Sequence, residues 1–190
     1  DTGPDGHLAK GGFMPPVPLP RRMWAGTKMT FHQPLRAGDS ITRSSTITDL
    51  TSKDGRSGAL CFVTVTHEIS GPNGLATTDK HLTVYRAPAE PGAPAPKPQP
   101  APSEADWSRA IHPTSVMLFR FSALTNNSHR IHYDRSYVTE VEGYPGLLVH
   151  GNLTATLLLD LFRREMPDAT LNTFNLRAIS PLYDINDFLV

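Results

Sequence analysis

The sequence has little of what marks disulfide-rich, nucleic-acid-binding or membrane-spanning proteins. Its single cysteine, Cys61, excludes an internal disulfide. Lysine plus arginine equals aspartate plus glutamate at 18 residues each, so no excess charge attracts nucleic acid or an anionic membrane. No apolar run is long enough to cross a bilayer. These absences favour a globular protein of a reducing compartment, the cytoplasm or, in a eukaryote, the mitochondrial matrix.

The chain also lacks a starting methionine and a clear end. It begins at Asp1 and stops at Val190 inside the apolar run DFLV. We therefore expect a piece of a longer protein, with strands missing. Its 190 residues could still bury one large core or two small ones.

Proline, in contrast, is abundant and divides the chain. The first 26 residues are rich in glycine and proline and predict an extended, polyproline-like path. Residues 87–106 contain seven prolines, which exclude helix and sheet and predict a semi-rigid linker. The predicted organisation is an N-terminal unit over 1–86, a linker over 87–106 and a C-terminal unit over 107–190.

The segment before the linker alternates apolar and polar residues with a period of two, which is typical of strands. Three runs show it: KMTFHQPLRAGDSITRSSTITDL, SGALCFVTVTHEIS and GLATTDKHLTVYR. The turn GPNG at 71–74 joins the last two as a hairpin. We expect three long antiparallel strands.

After the linker, TSVMLFRFSAL predicts an apolar strand. LTATLLLDLFRREM at 153–166 predicts a helix that Pro167 ends, with Gly151 in the preceding loop and Asn152 as N-cap. A helix apolar on most faces is expected to be buried, wrapped by a curved sheet. A weak internal match between FHQPLRAGDSI at 31–41 and AISPLYDINDF at 178–188 suggests two copies of one unit.

The stretch LTNNSHRIHYD concentrates His129, His132 and Asp134 within six residues. Alone, it is compatible with a metal site, an acid/base site or a polar surface loop. A metal site would need a further ligand from elsewhere, and no His-Glu-x-x-His motif or cysteine pair supports one. Two histidines three residues apart on a helical turn project to one face, so both could reach one water or one substrate.

Three stretches together, PPVPLPRRMWAG, FSALTNNSHRIHYD and YPGLLVHGNL, resemble the MaoC-like hydratases and dehydratases. They are most similar to the double-hot-dog branch that contains 3-hydroxyacyl-thioester dehydratases and mesaconyl-CoA hydratases. The resemblance covers nearly the whole chain. It implies an α+β fold of two hot-dog units, each an antiparallel sheet curled around a central helix, with the first unit degenerate and the second carrying the site.

The resemblance also assigns roles to residues. His132 matches the family's histidine and Asp134 the last aspartate of its motif. Asn127 stands where the wider family has an aspartate that, with the histidine, holds the reacting water. Because a carboxamide cannot exchange a proton as a carboxyl group does, we expect His129 to take over that task and Asn127 to orient the water.

The start of the predicted helix supplies the second half of the implied site. The N–H of Gly151 would bind the thioester carbonyl, where the partial positive charge of a helix N-terminus stabilises a developing oxyanion. His150 and Asp134 would support the site. Three arginines are candidates for binding coenzyme A phosphates, with solvation or local pairing as the alternative for each: Arg21, Arg22 and Arg130.

The predicted function is that of a hydro-lyase, which reversibly hydrates an enoyl thioester or dehydrates a 3-hydroxyacyl thioester without a metal or redox cofactor. The substrate would be carried by coenzyme A or an acyl-carrier protein. Neither nucleic acid nor a membrane is expected as a partner, and a homo-oligomer is compatible with the sequence. A hot-dog acyl-thioesterase and a noncatalytic thioester-binding module remain as alternatives.

Overall fold

The computed structural model describes residues 2–55, 58–87 and 104–190, so most of the predicted proline-rich linker lies outside the described residues. These residues form two compact units, and neither is continuous in sequence. The sheet unit contains residues 17–87, apart from 56–57, together with 170–179. The helical unit contains residues 2–16, 104–169 and 180–190. The boundaries drawn from the sequence stay a prediction, and the structure adds that the two units exchange short segments.

The sheet unit is built on five antiparallel strands. The strands are β1 (Arg21–Phe31), β2 (Thr42–Gly55), β3 (Gly58–Gly71), β4 (Gly74–Arg86) and, from late in the chain, β6 (Thr173–Arg177). Their spatial order is β2-β3-β4-β1-β6, so β6 pairs with β1 at the edge of the sheet.

The alternating pattern explains this sheet. From Cys61 to Val65 in β3, every second side chain is buried, which places the apolar face of this part of the strand inward. The predicted hairpin is confirmed, with Gly71 opposite Gly74. Two expectations were wrong. The first alternating run forms two strands, so the described residues up to 87 contain four strands and not three. Strand β1 also begins at Arg21, inside the stretch predicted to be polyproline-like.

The helical unit has only a short two-stranded sheet among its described residues. Its elements are β5 (Ala110–Ile111), α1 (Ser115–Thr125), a 3₁₀ turn (Arg130–His132), a π turn (Tyr137–Val141), α2 (Gly151–Glu165) and β7 (Phe188–Leu189), with β5 paired to β7. The buried cluster that joins them consists of Leu118, Ile131, Val138, Leu147, Leu148, Val149 and Leu153.

Helix α1 corrects a prediction, because TSVMLFRFSAL was expected to be a strand. The hydroxyl of Thr114 accepts a hydrogen bond from the backbone N–H of Met117 at 3.1 Å, which caps the first turn. Asn126, with φ at +51°, ends the helix in the left-handed conformation. Leu118 and Ser122, four residues apart, form its buried side. The caps and this spacing specify a helix in spite of the dense apolar run.

Helix α2 lies where the sequence predicted it, but two details were wrong. It begins at Gly151 with His150 as N-cap, not with Asn152. Its full burial is confined to Leu153, Ala155 and Leu161, whereas burial on most faces was expected. None of the described helices has the length and hydropathy needed to cross a membrane.

Candidate active site

The predicted stretch LTNNSHRIHYD folds into a tight loop after α1. The backbone N–H of Asn127 donates to the carbonyl of Ser122 at 2.9 Å. The side-chain oxygen of Asn127 then accepts from the backbone N–H of His129 at 3.1 Å. The 3₁₀ turn that follows carries His132 inward. The structure therefore places Asn127, His129 and His132 in one loop, and their catalytic roles stay a prediction.

His132 is 8% exposed and is held in one tautomer. Its Nδ1 lies 2.8 Å from the carbonyl oxygen of Leu148. Because a carbonyl can only accept, Nδ1 carries the proton and Nε2 keeps its lone pair. Burial lowers the pKa of His132 to about 4, against the opposing effect of the Leu148 carbonyl and with a smaller lowering by His7. The ring is therefore a neutral proton acceptor at neutral pH.

His150 lies flat against His132. The ring centroids are 3.7 Å apart and the planes differ by 18°. His150 is 1% exposed, and its Nε2 lies 2.8 Å from the hydroxyl oxygen of Ser122. Burial, followed by the neighbouring His132 and His129, lowers the pKa of His150 to about 3. Two neutral rings can stack at this distance, whereas two charged rings would repel each other strongly.

Two further histidines extend this pair into a row. His129 is 7% exposed and meets His132 edge to face, with centroids 5.5 Å apart. His7, from the start of the chain, meets His129 edge to face at 5.3 Å. We call His7, His129, His132 and His150 the imidazole row. His7 was not predicted from the sequence, because nothing in the local pattern around it indicates a contact 122 residues away.

The segment that carries His7 is fastened to the histidine loop. The backbone N–H of Arg130 donates to the carbonyl of Asp5 at 2.8 Å, and the Ser128 hydroxyl donates to the carbonyl of Gly6. Gly6 has φ at +78°, and a Cβ there would lie 1.9 Å from the carbonyl oxygen of Ser128. Glycine is required by both the conformation and the close approach. The first residues of the chain are thus part of the site's wall.

The segment before α2 connects His132 to the N-terminus of that helix. The backbone N–H of Leu148 donates to Ile131 at 3.0 Å, while the carbonyl of Leu148 accepts from His132. The first bond inside α2 runs from Thr154 N–H to the carbonyl of His150, at 3.1 Å. The N–H of Gly151 lies before this first bond in the chain, so no carbonyl within the helix accepts a hydrogen bond from it. It lies one residue after the ring that stacks on His132.

Asp134 faces an arginine. Its carboxylate accepts from Nε and Nη2 of Arg130 at 3.0 and 2.8 Å, and from the backbone N–H of Tyr137 at 3.1 Å. The Tyr137 N–H and then Arg130 lower the pKa of Asp134. The Arg130 guanidinium also lies 4.1 Å from the Tyr137 ring centroid and donates to the carbonyl of Pro4 at 3.2 Å. These contacts favour a structural role for both residues.

The other predicted phosphate-binding arginines lie on β1 in the sheet unit. Arg22 is 7% exposed, and its guanidinium carbon is 5.9 Å from the ring centroid of Tyr85. Its burial favours packing inside that unit over phosphate binding. For Arg21, phosphate binding stays a prediction.

Metal binding by the histidine loop has no geometric support within the described ranges. No group of three or more His, Cys, Asp or Glu side chains there is arranged to hold a metal ion. Asp134, the carboxylate nearest in sequence, is paired with Arg130. Catalysis without a metal stays a prediction.

A shallow depression of about 220 Å³ opens beside Asn127. None of the four histidines of the imidazole row lines it. The lining residues are Phe119, Ser122, Ala123, Asn126, Asn127, Ser128 and Tyr133.

The chain is similar to known proteins of one family. A family model for hydroxyacyl-thioester dehydratase type 2 matches residues 1–184. The chain is 47% identical to a mesaconyl-C(4)-CoA hydratase of Chloroflexus aurantiacus over 185 residues, 97% of this chain and 65% of that protein. It therefore spans slightly less than two thirds of that relative.

Solved structures share the fold at low sequence identity. A MaoC-like dehydratase superposes with a TM-score of 0.72 at 15% identity, covering 92% of this chain and 66% of the other. A Mycobacterium tuberculosis protein described as having a double hot-dog fold superposes with a TM-score of 0.54 at 17% identity, covering 85% and 59% of the two chains. The resemblance seen in the sequence and the predicted α+β, double hot-dog fold are both confirmed. The chain belongs to the family of type 2 hydroxyacyl-thioester dehydratases.

Proposed function

We propose that this chain carries the active site of a hydro-lyase that reversibly hydrates enoyl thioesters. One arrangement carries the proposal most directly: Nδ1 of His132 donates to the Leu148 carbonyl, which leaves the lone pair on Nε2, and the ring lies close to the N-terminus of α2 through its stack on His150. The site thus combines a proton acceptor with backbone donors for an oxyanion, the two groups that this reaction requires.

In the dehydration direction, Nε2 of His132 removes the proton from the carbon next to the thioester carbonyl. The electron pair of that C–H bond forms an enolate, whose oxygen the N–H of Gly151 stabilises. The enolate then forms the carbon–carbon double bond as the C–O bond to the hydroxyl breaks. The leaving hydroxyl takes a proton from the imidazole row and departs as water, while Asn127 orients it.

The low pKa of His132 suits the second half of this sequence. Burial that lowers the pKa to about 4 makes the protonated ring a strong acid. It therefore returns its proton readily to the leaving hydroxyl, and His129, with its ring centroid 5.5 Å from that of His132, is the second candidate proton donor. The same groups in reverse order add water to the enoyl thioester.

For the substrate, the relative from Chloroflexus aurantiacus suggests a mesaconyl-CoA-type thioester, and the family's name suggests a fatty 3-hydroxyacyl thioester. We propose coenzyme A or an acyl-carrier protein as the carrier and a reaction without a metal or redox cofactor. We also propose the cytoplasm, or the mitochondrial matrix in a eukaryote, as the location.

The assay follows two signals with mesaconyl, crotonyl and long-chain enoyl thioesters. Hydration lowers the absorbance of the conjugated double bond and releases no thiol. A thioesterase would release free thiol, and a noncatalytic binding module would bind the thioester while changing neither signal. Either of these two results would overturn the proposal.

Substitutions test the assigned roles. General acid/base groups contribute typically 10²–10⁴-fold, so His132→Ala should lower kcat by about that factor, and His129→Ala should lower it as well. His112→Ala is the matched control, because His112 pairs with Asp187 at the surface of the same unit. Full activity in both folded site variants would contradict the mechanism. Asn127→Asp asks whether a carboxyl group at this position can share the proton transfer.

A further inference from the structure

Ser122 connects two parts of the candidate site through two different groups. Its carbonyl accepts from the backbone N–H of Asn127 at 2.9 Å. Its hydroxyl oxygen lies 2.8 Å from Nε2 of His150. Ser122 is 7% exposed and belongs to the buried side of α1. One residue of α1 thus holds both the histidine loop and the N-cap of α2.

The hydroxyl of Ser122 matters because His150 has few other polar contacts. Nδ1 of His150 is buried without a hydrogen-bond partner in the described part of the chain. A buried N–H without an acceptor is rarer than a buried acceptor without a donor. The proton of His150 therefore lies on Nε2 and is donated to Ser122. In the stack, His150 then has its proton on Nε2 and His132 has its proton on Nδ1.

We propose that Ser122 is a positioning residue for the hydration reaction. Its hydrogen bond fixes the plane of the His150 ring, the His132 ring lies flat on that plane, and Nε2 of His132 is thereby held in one direction relative to the first N–H groups of α2. The inference rests on the proposed function for its kinetic consequence. Its geometric content, a Ser122-dependent orientation of His132, is independent of the substrate.

A serine 2.8 Å from a histidine also resembles a nucleophile and its base. Two observations argue against that role for Ser122. A nucleophile's histidine is oriented by a third group on its other nitrogen, whereas Nδ1 of His150 has no such partner among the described residues. Nε2 of His150 also carries the proton that it donates to Ser122, so this nitrogen has no lone pair to accept the serine's proton. Positioning therefore explains the pair better than acyl transfer does.

The test compares two hydroxyl deletions on the same helix. Ser122→Ala removes the bond to His150. Thr125→Ala removes a hydroxyl that, among the described residues, donates only to the carbonyl of Phe121, within α1, at 2.7 Å. We expect Ser122→Ala to lower kcat by roughly ten-fold or more, because a buried partner is left unpaired and the ring loses its fixed plane, while KM changes by less than about two-fold. Thr125→Ala should retain the wild-type kcat and KM.

Two more variants separate positioning from general damage. Ser122→Thr keeps a hydroxyl at the same place and should recover most of the lost kcat. His150→Phe keeps a flat ring against His132 but cannot bond to Ser122, so it should lose kcat as Ser122→Ala does. If Ser122→Ala keeps the wild-type kcat, or if Ser122→Thr is as impaired as Ser122→Ala, the proposal is wrong.

A spectroscopic measurement tests the geometry without any turnover. Nitrogen-15 NMR of the histidine side chains should show His132 protonated at Nδ1 and His150 protonated at Nε2. In Ser122→Ala, the ring signals of both should shift, while Thr125→Ala should leave them unchanged. If the wild type hydrates no enoyl thioester, the proposed function is wrong. If the ring signals do not shift in Ser122→Ala, the positioning inference is wrong, whatever the activity assay shows. If the wild type is active and Ser122→Ala matches Thr125→Ala in kcat, only the positioning inference fails.

Discussion

Acidification should destabilise this protein through His132, by an amount that the structure allows us to estimate. Burial lowers the pKa of His132 to about 4, whereas an unfolded chain has its ordinary value of 6.5. Between these two values the unfolded chain binds the proton and the folded chain does not. Stability is therefore fully present above the unfolded pKa and is lost as the pH falls through this window. At about pH 5, one such group accounts for a loss on the order of 2 kcal/mol.

Urea unfolding at about pH 7.5 and about pH 5 measures this loss. The matched comparison is His132→Asn, which cannot titrate. Because the lowered pKa of His150 depends partly on His132, the difference between the two losses measures His132 together with its coupling to His150. We expect the variant to lose on the order of 2 kcal/mol less than the wild type over this range. Equal losses in the two proteins would refute the assignment of a neutral, buried His132.

Three further changes test the packing around the site. Gly6→Ala should lower the free energy of unfolding by at least about 1 kcal/mol, because Gly6 has a positive φ and lies close to the Ser128 carbonyl. Gly12 has open space around it, so Gly12→Ala should leave the free energy of unfolding nearly unchanged. Chemical denaturation of both variants makes the comparison. Leu118→Ala, at a fully buried position, should cost about 2–5 kcal/mol in the same measurement. Asp134→Asn should lower the urea midpoint by weakening its pairing with Arg130, and an unchanged midpoint would contradict that role.

Local patterns predicted much of the secondary structure. The hairpin at Gly71 and Gly74 followed from turn residues between two alternating runs, and α2 followed from a long apolar segment stopped by Pro167. For α1, the capping residues Thr114 and Asn126 were readable in the sequence but were outweighed by the apolar run between them. At such positions, capping and tertiary packing determine the secondary structure in spite of local propensity and apolar pattern.

The site was predictable only where a motif carried it. Asn127, His129 and His132 lie within one loop, so the motif and their spacing together indicated a shared face. Ser122 and His7 meet the site through contacts between distant parts of the chain, and no local period reports such contacts. The contacts of Arg130 with Asp134 and Tyr137 likewise depend on how the loop folds, which sequence spacing alone does not determine.

The exchange of segments between the two units has a consequence for how the chain reaches its native state. The edge strand β6 pairs with β1, about 150 residues earlier, and the segment around His7 docks on the loop at Ser128. Such long loop closures are slow relative to hairpin formation. During synthesis, one edge of β1 stays uncovered until residues 173–177 have left the ribosome. We therefore expect a fragment of residues 1–86 to aggregate through that open edge, so dissecting the protein by truncation calls for co-expression of the two halves.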